Sequence, residues 1–139
     1  MTPPISQSNI ELKINCRGLV VDGWTVRHVS PVDEDDSGWR LQAVLRNDSG
    51  KTLENVDCDL RYYDVEDKFL GLDDGMVFIS DMDAGRDEAV SIDLNVPDRT
   101  HHAAFAVRGS RKSPFDVNSS LALTVLLLFI VYIVANHVL

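Results

Sequence analysis

Apolar and polar residues alternate with a period of two along most of the first hundred positions, the pattern of strands that bury one face and wet the other. Ile10, Leu12, Ile14 and Cys16 alternate with Glu11, Lys13 and Asn15. After a turn-like Asp22-Gly23, the residues Trp24, Val26 and His28 share one face of a second strand, which Pro31 and the acidic stretch "DEDDSG" end by opening a hairpin. Trp39, Leu41, Ala43 and Leu45 form the inner row of the next strand, and "NDSG" (residues 47–50) supplies residues that tolerate left-handed backbone. Val56, Cys58, Leu60 and Tyr62 alternate with Asp57, Asp59, Arg61 and Tyr63. Shorter strands are expected over 69–72 and 76–79, followed by the turn "DAGRD". Val90, Ile92, Leu94 and Val96 give the cleanest alternation, Pro97-Asp98 closes it, and Ala103, Phe105 and Val107 mark the last strand. About seven strands with no amphipathic helix predict an all-β, antiparallel sandwich over residues 1–108.

The pattern then changes. Residues 109–120, "GSRKSPFDVNSS", read as a linker rich in Gly, Ser and Pro, and residues 121–139 contain no charged side chain apart from His137. At 1.5 Å per residue that apolar stretch reaches roughly 28 Å, close to the hydrocarbon thickness of a bilayer, and predicts a transmembrane α-helix. A buried core helix would need a polar face, and none is present. Arg108, Arg111 and Lys112 precede the helix against the single Asp116. This basic flank predicts a single-pass, tail-anchored protein of the cell membrane, with the N-terminal domain facing the cytoplasm and the three basic residues at the membrane surface. The opening residues "MTPPISQSNIELK" lack the basic start and apolar run of a secretory signal.

The 13 basic and 22 acidic side chains all precede Ser119, so the net charge of −9 belongs to the part ahead of the helix and argues against a nucleic-acid partner. The acids are mostly Asp and the bases mostly Arg, a balance that suits either a high-salt cytoplasm or an ordinary acidic surface. About 120 residues ahead of the helix suffice for one modest core. Cys16 and Cys58 fall at apolar positions of strand patterns; in a reducing compartment they are small hydrophobes, and in an oxidising one they are candidates for a disulfide.

Signatures of chemistry are sparse. His101 and His102 would point to opposite faces of a strand and could share a metal ion only from a loop. "DEDDSG" and "DMDAGRDE" carry oxygens for Ca²⁺, but Arg86 stands where an EF-hand loop requires Gly, and solvated turns account for both. No Gly-x-Ser-x-Gly elbow, phosphate-cradling loop or His-Glu-x-x-His helix occurs. No enzyme activity, cofactor, resident metal or small-molecule ligand is expected. On the helix, Thr124, Tyr132, Ala135 and Asn136 form a stripe of small and polar groups, which either packs on another transmembrane helix or marks the far membrane interface. The reading is an accessory or scaffold subunit, bound to an integral membrane protein or complex and to the lipid bilayer. Its contacts would run through that stripe and through a sandwich edge or the region from Trp39 to Tyr63. The alternative is a membrane-anchored ligand or metal-ion binding module that uses the acidic loops.

The order "LRNDSGKTLENVDCDLRYYDVEDKFLG" followed by "DMDAGRDEAVSIDLNV" resembles the FxLYD domain, a small immunoglobulin-like β-sandwich often attached to membranes. Leu60-Arg61-Tyr62-Tyr63-Asp64 lies over the family's motif, with Leu60 where Phe is usual and Tyr62 where Leu is usual. Asn47, Val56, Gly71 and Gly85 match further motif positions, while Ala43 replaces a usual Gly; the match covers residues 39–107. The resemblance implies an immunoglobulin-like sandwich in which Tyr62 fills the core, Tyr63 lies outside and Asp64 begins a turn.

Overall fold

The computed structural model describes residues 2–31, 33–74, 79–111 and 119–138, with side chains described for all of these except 79–80, 119–125 and 138. Among the described residues eight strands follow a 3-10 turn at Gln7–Asn9: β1 (Ile10–Asn15), β2 (Leu19–His28), β3 (Trp39–Asn47), β4 (Leu53–Tyr63), β5 (Phe69–Asp74), β6 (Ile79–Met82), β7 (Asp87–Asp93) and β8 (His102–Arg111). A helix, α1 (Ser119–Val138), ends the described chain. One sheet has the order β1-β8-β4-β5, with β6 also paired to β4, and the other the order β2-β3-β7. Their inner faces share a single core built from the alternating rows read in the sequence, with Leu41, Leu45, Leu60, Tyr62, Ile92, Phe105 and Val107 fully buried.

Several expectations are corrected. The sheets hold eight strands instead of about seven, and one pairing is parallel: β1 runs alongside β8, with Ile10 opposite Ala103 and Ile14 opposite Val107. No short connection joins these two strands, so nothing forces them antiparallel, and the turn after β1 must carry the chain into the other sheet. Asp22-Gly23 is not a turn but a bulge inside β2. The register passes from Val21 opposite Leu45 to Trp24 opposite Ala43, and Gly23 takes a φ of +89°. The extra residue keeps Val21 and Trp24 both toward the core despite their odd spacing.

The linker expected over 109–120 also begins as strand, because β8 runs on to Arg111 opposite Leu53. A Cβ on Gly109 would lie 3.2 Å from Val56 Cγ2 and 3.4 Å from Cys16 Sγ. Glycine therefore serves close packing at that position, not chain flexibility. Of the strand expected at 76–79, only residue 79 lies within the described residues, where β6 starts.

A 20-residue helix stands where the membrane span was expected, with its side chains described from Leu126 to His137. Among the described residues no helix is long and apolar enough to cross a membrane.

The Asn47 side chain, at the end of β3, is fully buried and hydrogen-bonded through both of its polar atoms. Its Nδ2 donates to the carbonyls of Lys51 (2.7 Å) and Met82 (2.8 Å), and its Oδ1 accepts from the Ser49 N–H (3.0 Å) and hydroxyl (2.6 Å). Its backbone N–H donates to Arg86 O (3.1 Å), and its carbonyl accepts from the Gly85 N–H (2.8 Å). Substituting Asn47→Ala should therefore cost about 3 kcal/mol in denaturant unfolding, since two carbonyls lose their donor in a buried site. Asn47→Asp should cost at least as much although it is nearly isosteric, because a carboxylate cannot donate to either carbonyl. A loss under about 0.5 kcal/mol for both would show that the network is dispensable.

Candidate functional site

The outer face of β4 and β8 carries an ionic ladder. Asp57, Asp59 and Arg61 stand two residues apart on β4, and β8 places Arg108 opposite Asp57. Arg108 Nε meets Asp57 Oδ1 at 3.0 Å and Arg108 Nη2 meets the buried Asp59 Oδ2 at 2.7 Å, while Arg61 Nε holds the other Asp59 oxygen at 3.1 Å. The hydrogen bond that Arg108 donates to Asp59, with the charges of Asp59 and Asp57, raises the Arg108 pKa further above its ordinary value. Arg108 is thus occupied within the sandwich, and of the three basic residues assigned to the membrane surface, Arg111 is exposed at the end of β8. Lys112 lies outside the described residues.

A second cluster forms next to the ladder, where β4 ends and β8 begins. Asp64 nucleates the β4–β5 turn by accepting from the N–H groups of Glu66 (2.8 Å) and Lys68 (2.9 Å). The turn brings Phe69 back against Tyr63, with ring centroids 6.0 Å apart in an edge contact. The other face of the cluster comes from β8: the His102 ring stacks on Tyr63 at 5.5 Å and 15°, and its Nε2 lies 2.8 Å from Asp67 Oδ1. Here the expectation that His101 and His102 diverge is overturned. Arg99 adopts a left-handed φ of 70°, the Thr100 hydroxyl closes the turn onto Pro97 O, and the His101 N–H donates to Tyr63 O at 2.8 Å. His101 therefore belongs to a loop and only His102 to the strand, which places their Nδ1 atoms 3.0 Å apart. A cleft of about 370 Å³ opens beside them, lined by Glu11, Lys13, Tyr63, Asp67, His102 and Ala104.

Trp39 and Tyr63, the ends of the region expected to meet a partner, lie in different sheets. Trp39 packs partly into the core and takes an edge contact from His28 at 5.1 Å, so its first role is structural. The acidic β2–β3 loop forms a pocket of about 410 Å³ with Asp33, Asp35, Asp36 and Asp93, but Arg40 already sits within it. Its Nε approaches Asp93 Oδ1 to 2.7 Å, out of line for a hydrogen bond, and its Nη2 lies 3.5 Å from Asp36. A guanidinium among those carboxylates supplies the charge that a metal ion would bring. A concavity of about 720 Å³ lies on the outer face of β2-β3-β7 around Val44, Gly23, Thr25, Gln42, Ala89 and Ser91. On α1, Tyr132, Ala135 and Asn136 are exposed and fall within one third of the helix circumference. The Thr124 side chain lies outside those described. Among the described residues no three His, Cys, Asp or Glu side chains converge as a metal-binding group.

Sequence reading missed the Tyr63–Phe69–His102–Asp67 cluster because its members come from three elements. The available signal was local: two aromatic residues on polar-face positions flanking one hairpin. The bridge from the buried Tyr62 to Asp73 was missed as well. Its hydroxyl donates to Asp73 Oδ2, which also accepts from the Asn95 N–H at 2.6 Å, and burial, then the Asp73 bond, raises the phenol pKa.

No family model, curated protein or solved structure matches the chain, so the FxLYD resemblance gains no support from relatives.

Both cysteines are free thiols on opposite sides of β8, Cys58 buried on β4 and Cys16 half-buried just after β1. Burial raises both pKa values; for Cys58, burial and then the neighbouring Asp57, Asp59 and Asp74 charges push it from 9.0 to about 12. At pH 8 a thiol reagent should modify Cys16 slowly and leave Cys58 intact until the protein unfolds. The folded state holds the Cys58 proton after the unfolded chain has lost it. Its contribution to stability is therefore complete below pH 9.0 and falls as pH rises toward about 12, and Cys58→Ala should flatten that part of the alkaline stability profile. Rapid Cys58 labelling in the folded protein would contradict this.

Proposed function

We propose that this chain is a non-enzymatic, single-pass accessory or scaffold subunit. It would be tail-anchored through residues 121–139, with an acidic immunoglobulin-like sandwich on the cytoplasmic side of the cell membrane and an integral membrane protein or complex as partner. The observation that carries the reading is the state of α1. From Leu126 to Val134 every side chain is large, apolar or aromatic, and exposed by 39% to 66%. Removing nine such side chains from water is worth on the order of 10 kcal/mol, more than a helix in contact with solvent would forgo. A bilayer, or a bilayer shared with partner helices, is the cover that suits a surface apolar on all sides. The 20 residues of α1 correspond to about 30 Å, and residues 121–125 extend the apolar character in sequence toward its start.

The strand order favours the immunoglobulin-like label. β2-β3-β7 corresponds to strands A-B-E of that fold and β5-β4-β8 to C′-C-F, while β1 takes the place of strand G but runs parallel to its neighbour. With Tyr62 buried, Tyr63 half-exposed and Asp64 opening its turn, the five-residue motif is occupied as a structural element, which agrees with an FxLYD-like domain. For the ligand-binding alternative, the acidic β2–β3 loop offers a pocket that already encloses Arg40.

The test separates anchor from partner. The full chain should stay with membranes through alkaline carbonate extraction, and a chain truncated before residue 119 should be released. Exchanging residues 121–139 for an unrelated apolar helix should preserve membrane retention but abolish stoichiometric co-purification with a membrane protein in mild detergent. Release of the full chain by carbonate would overturn the anchor, and recovery without any partner would overturn the subunit role.

A further inference from the structure

We propose that the open edge of β7 takes up an extended segment of the protein partner as an added strand, one with a basic residue at each end and small or β-branched residues between. This edge site rests on the subunit reading and gives its partner a chemistry. The register leaves the edge open. The Asn47 N–H donates to Arg86 O and the Leu94 N–H to Trp39 O, at the two ends of the antiparallel β3–β7 ladder. Backbone direction alternates along a strand, so Arg86, Glu88, Val90, Ile92 and Leu94 direct their amides to β3, while Asp87, Ala89, Ser91 and Asp93 turn theirs away from it. Among the described residues no strand pairs with that side.

The other edge of the same sheet is closed. The Gln7 side chain lies against β2, its Nε2 donating to Trp24 O at 3.1 Å and its Oε1 accepting from the Val26 N–H at 3.4 Å, which occupies the groups an added strand would need. Beyond β7 closure returns, since the Asn95 N–H donates to Asp73 at 2.6 Å. The opening therefore spans Asp87 to Asp93.

Charge then selects the occupant. Asp87 and Asp93 are exposed at the two ends of the opening, about 20 Å apart along an extended strand, and the exposed Ala89 and Ser91 between them are small and uncharged. Acid outnumbers base at each end. Arg46 is shared by Asp22 and Asp48, with Asp87 opposite it in the register, and Arg40 is shared by Asp36 and Asp93 in a pocket that Asp33 and Asp35 also line. Two cations on one face of an incoming strand, spaced as Asp87 and Asp93 are, meet both ends, and the alternate residues of that strand continue the row of Val90 and Ile92. A second copy of β7 fits worse, because two-fold pairing about Val90 would set Asp87 against Asp93 twice. Cytoplasmic segments of integral membrane proteins are rich in Lys and Arg, so the partner class already proposed carries the required charge.

The probe is the blocked peptide Arg-Val-Thr-Val-Thr-Val-Arg, with a Glu-ended counterpart as control, and the protein is the full chain in detergent. In the free chain the amides of Ala89, Ser91 and Asp93 should exchange with deuterium about a hundredfold faster than those of Val90 and Ile92, and saturating Arg-ended peptide should slow them about tenfold. Ser91→Pro removes a donor from the open side and none from the β3 ladder. It should weaken binding of the Arg-ended peptide about tenfold, with a retained cooperative thermal transition as the check on the fold. Asp87→Lys, at an exposed position, should weaken the Arg-ended peptide and strengthen the Glu-ended one. Ser91→Pro should also lower co-purification of the membrane partner while carbonate retention is unaffected. Protection of the three amides in the free chain, equal binding of the two peptides, or binding undiminished by both substitutions would overturn the edge site. So would a Ser91→Pro chain that keeps its partner at full stoichiometry, a result that leaves the anchor intact. Carbonate release or lone recovery of the wild-type chain would instead overturn the anchor or the subunit role, and peptide binding is read without either.

Discussion

One carboxamide sealed from water constrains much of this molecule. Asn47 ends β3 in one sheet, yet its side chain bonds to Met82 at the end of β6 in the other and to the turn that leads into β4. All four of its side-chain hydrogen bonds and both of its backbone bonds go to protein atoms, so the three segments can exchange none of these contacts for water without exposing the core. The consequences spread outward. With the 47–52 turn fixed, Gly18 lies against Ser49 so closely that a Cβ would come within 2.5 Å of it, and the Asp48 N–H bonds to Gly18 O. That sets the turn between β1 and β2, and with it the parallel alignment of β1 on β8.

The opposite end is tied by a different chemistry. Tyr62 reaches out of the core to Asp73, and Asp73 holds the backbone and side chain of Asn95 just beyond β7. One sheet is therefore pinned to the other at both ends, with the aliphatic core between the pins. The pin at this end also matters for the histidines. It steadies β4 and β5 where Tyr63 and Phe69 lie, and the segment after Asn95 turns back through Arg99 to present His101 beside His102.

What the sequence disclosed follows from range. The inward rows of β3, β4, β7 and β8 were legible because a period of two is written locally, and the hairpin from β2 to β3 was announced by its loop. The parallel β1–β8 pairing was not legible, since residues some ninety positions apart leave no local sign of their register. Gly109 looked like linker because composition records its flexibility and not the nearness of Val56 and Cys16. The histidine pair was misread for a related reason: alternation assumes a strand, and the strand begins one residue later. For the same reason the sequence marked Arg108 as a free cation. Its partners Asp57 and Asp59 lie about fifty residues earlier and meet it only through the β4–β8 register.

That engagement bears on how the two halves of the chain would work together. The net charge of −9 sits wholly ahead of an apolar helix, so on the proposed reading an acidic body is tethered to a surface whose cytoplasmic leaflet is itself anionic. With Arg108 spent inside the sandwich, the basic flank facing that surface shrinks to Arg111 and Lys112. Two cations set against so large an opposite charge, over a Debye length of about 8 Å, do not hold the domain down on headgroups. Attraction must then come from elsewhere, and uncharged surface is available for it. The broad concavity on the outer face of β2-β3-β7 is lined by uncharged side chains, Thr25, Gln42, Val44, Ala89 and Ser91 among them. Electrostatics would thus leave recognition to a protein above the bilayer and anchoring to the helix within it, a division of labour that the separation of charge along the chain already sets.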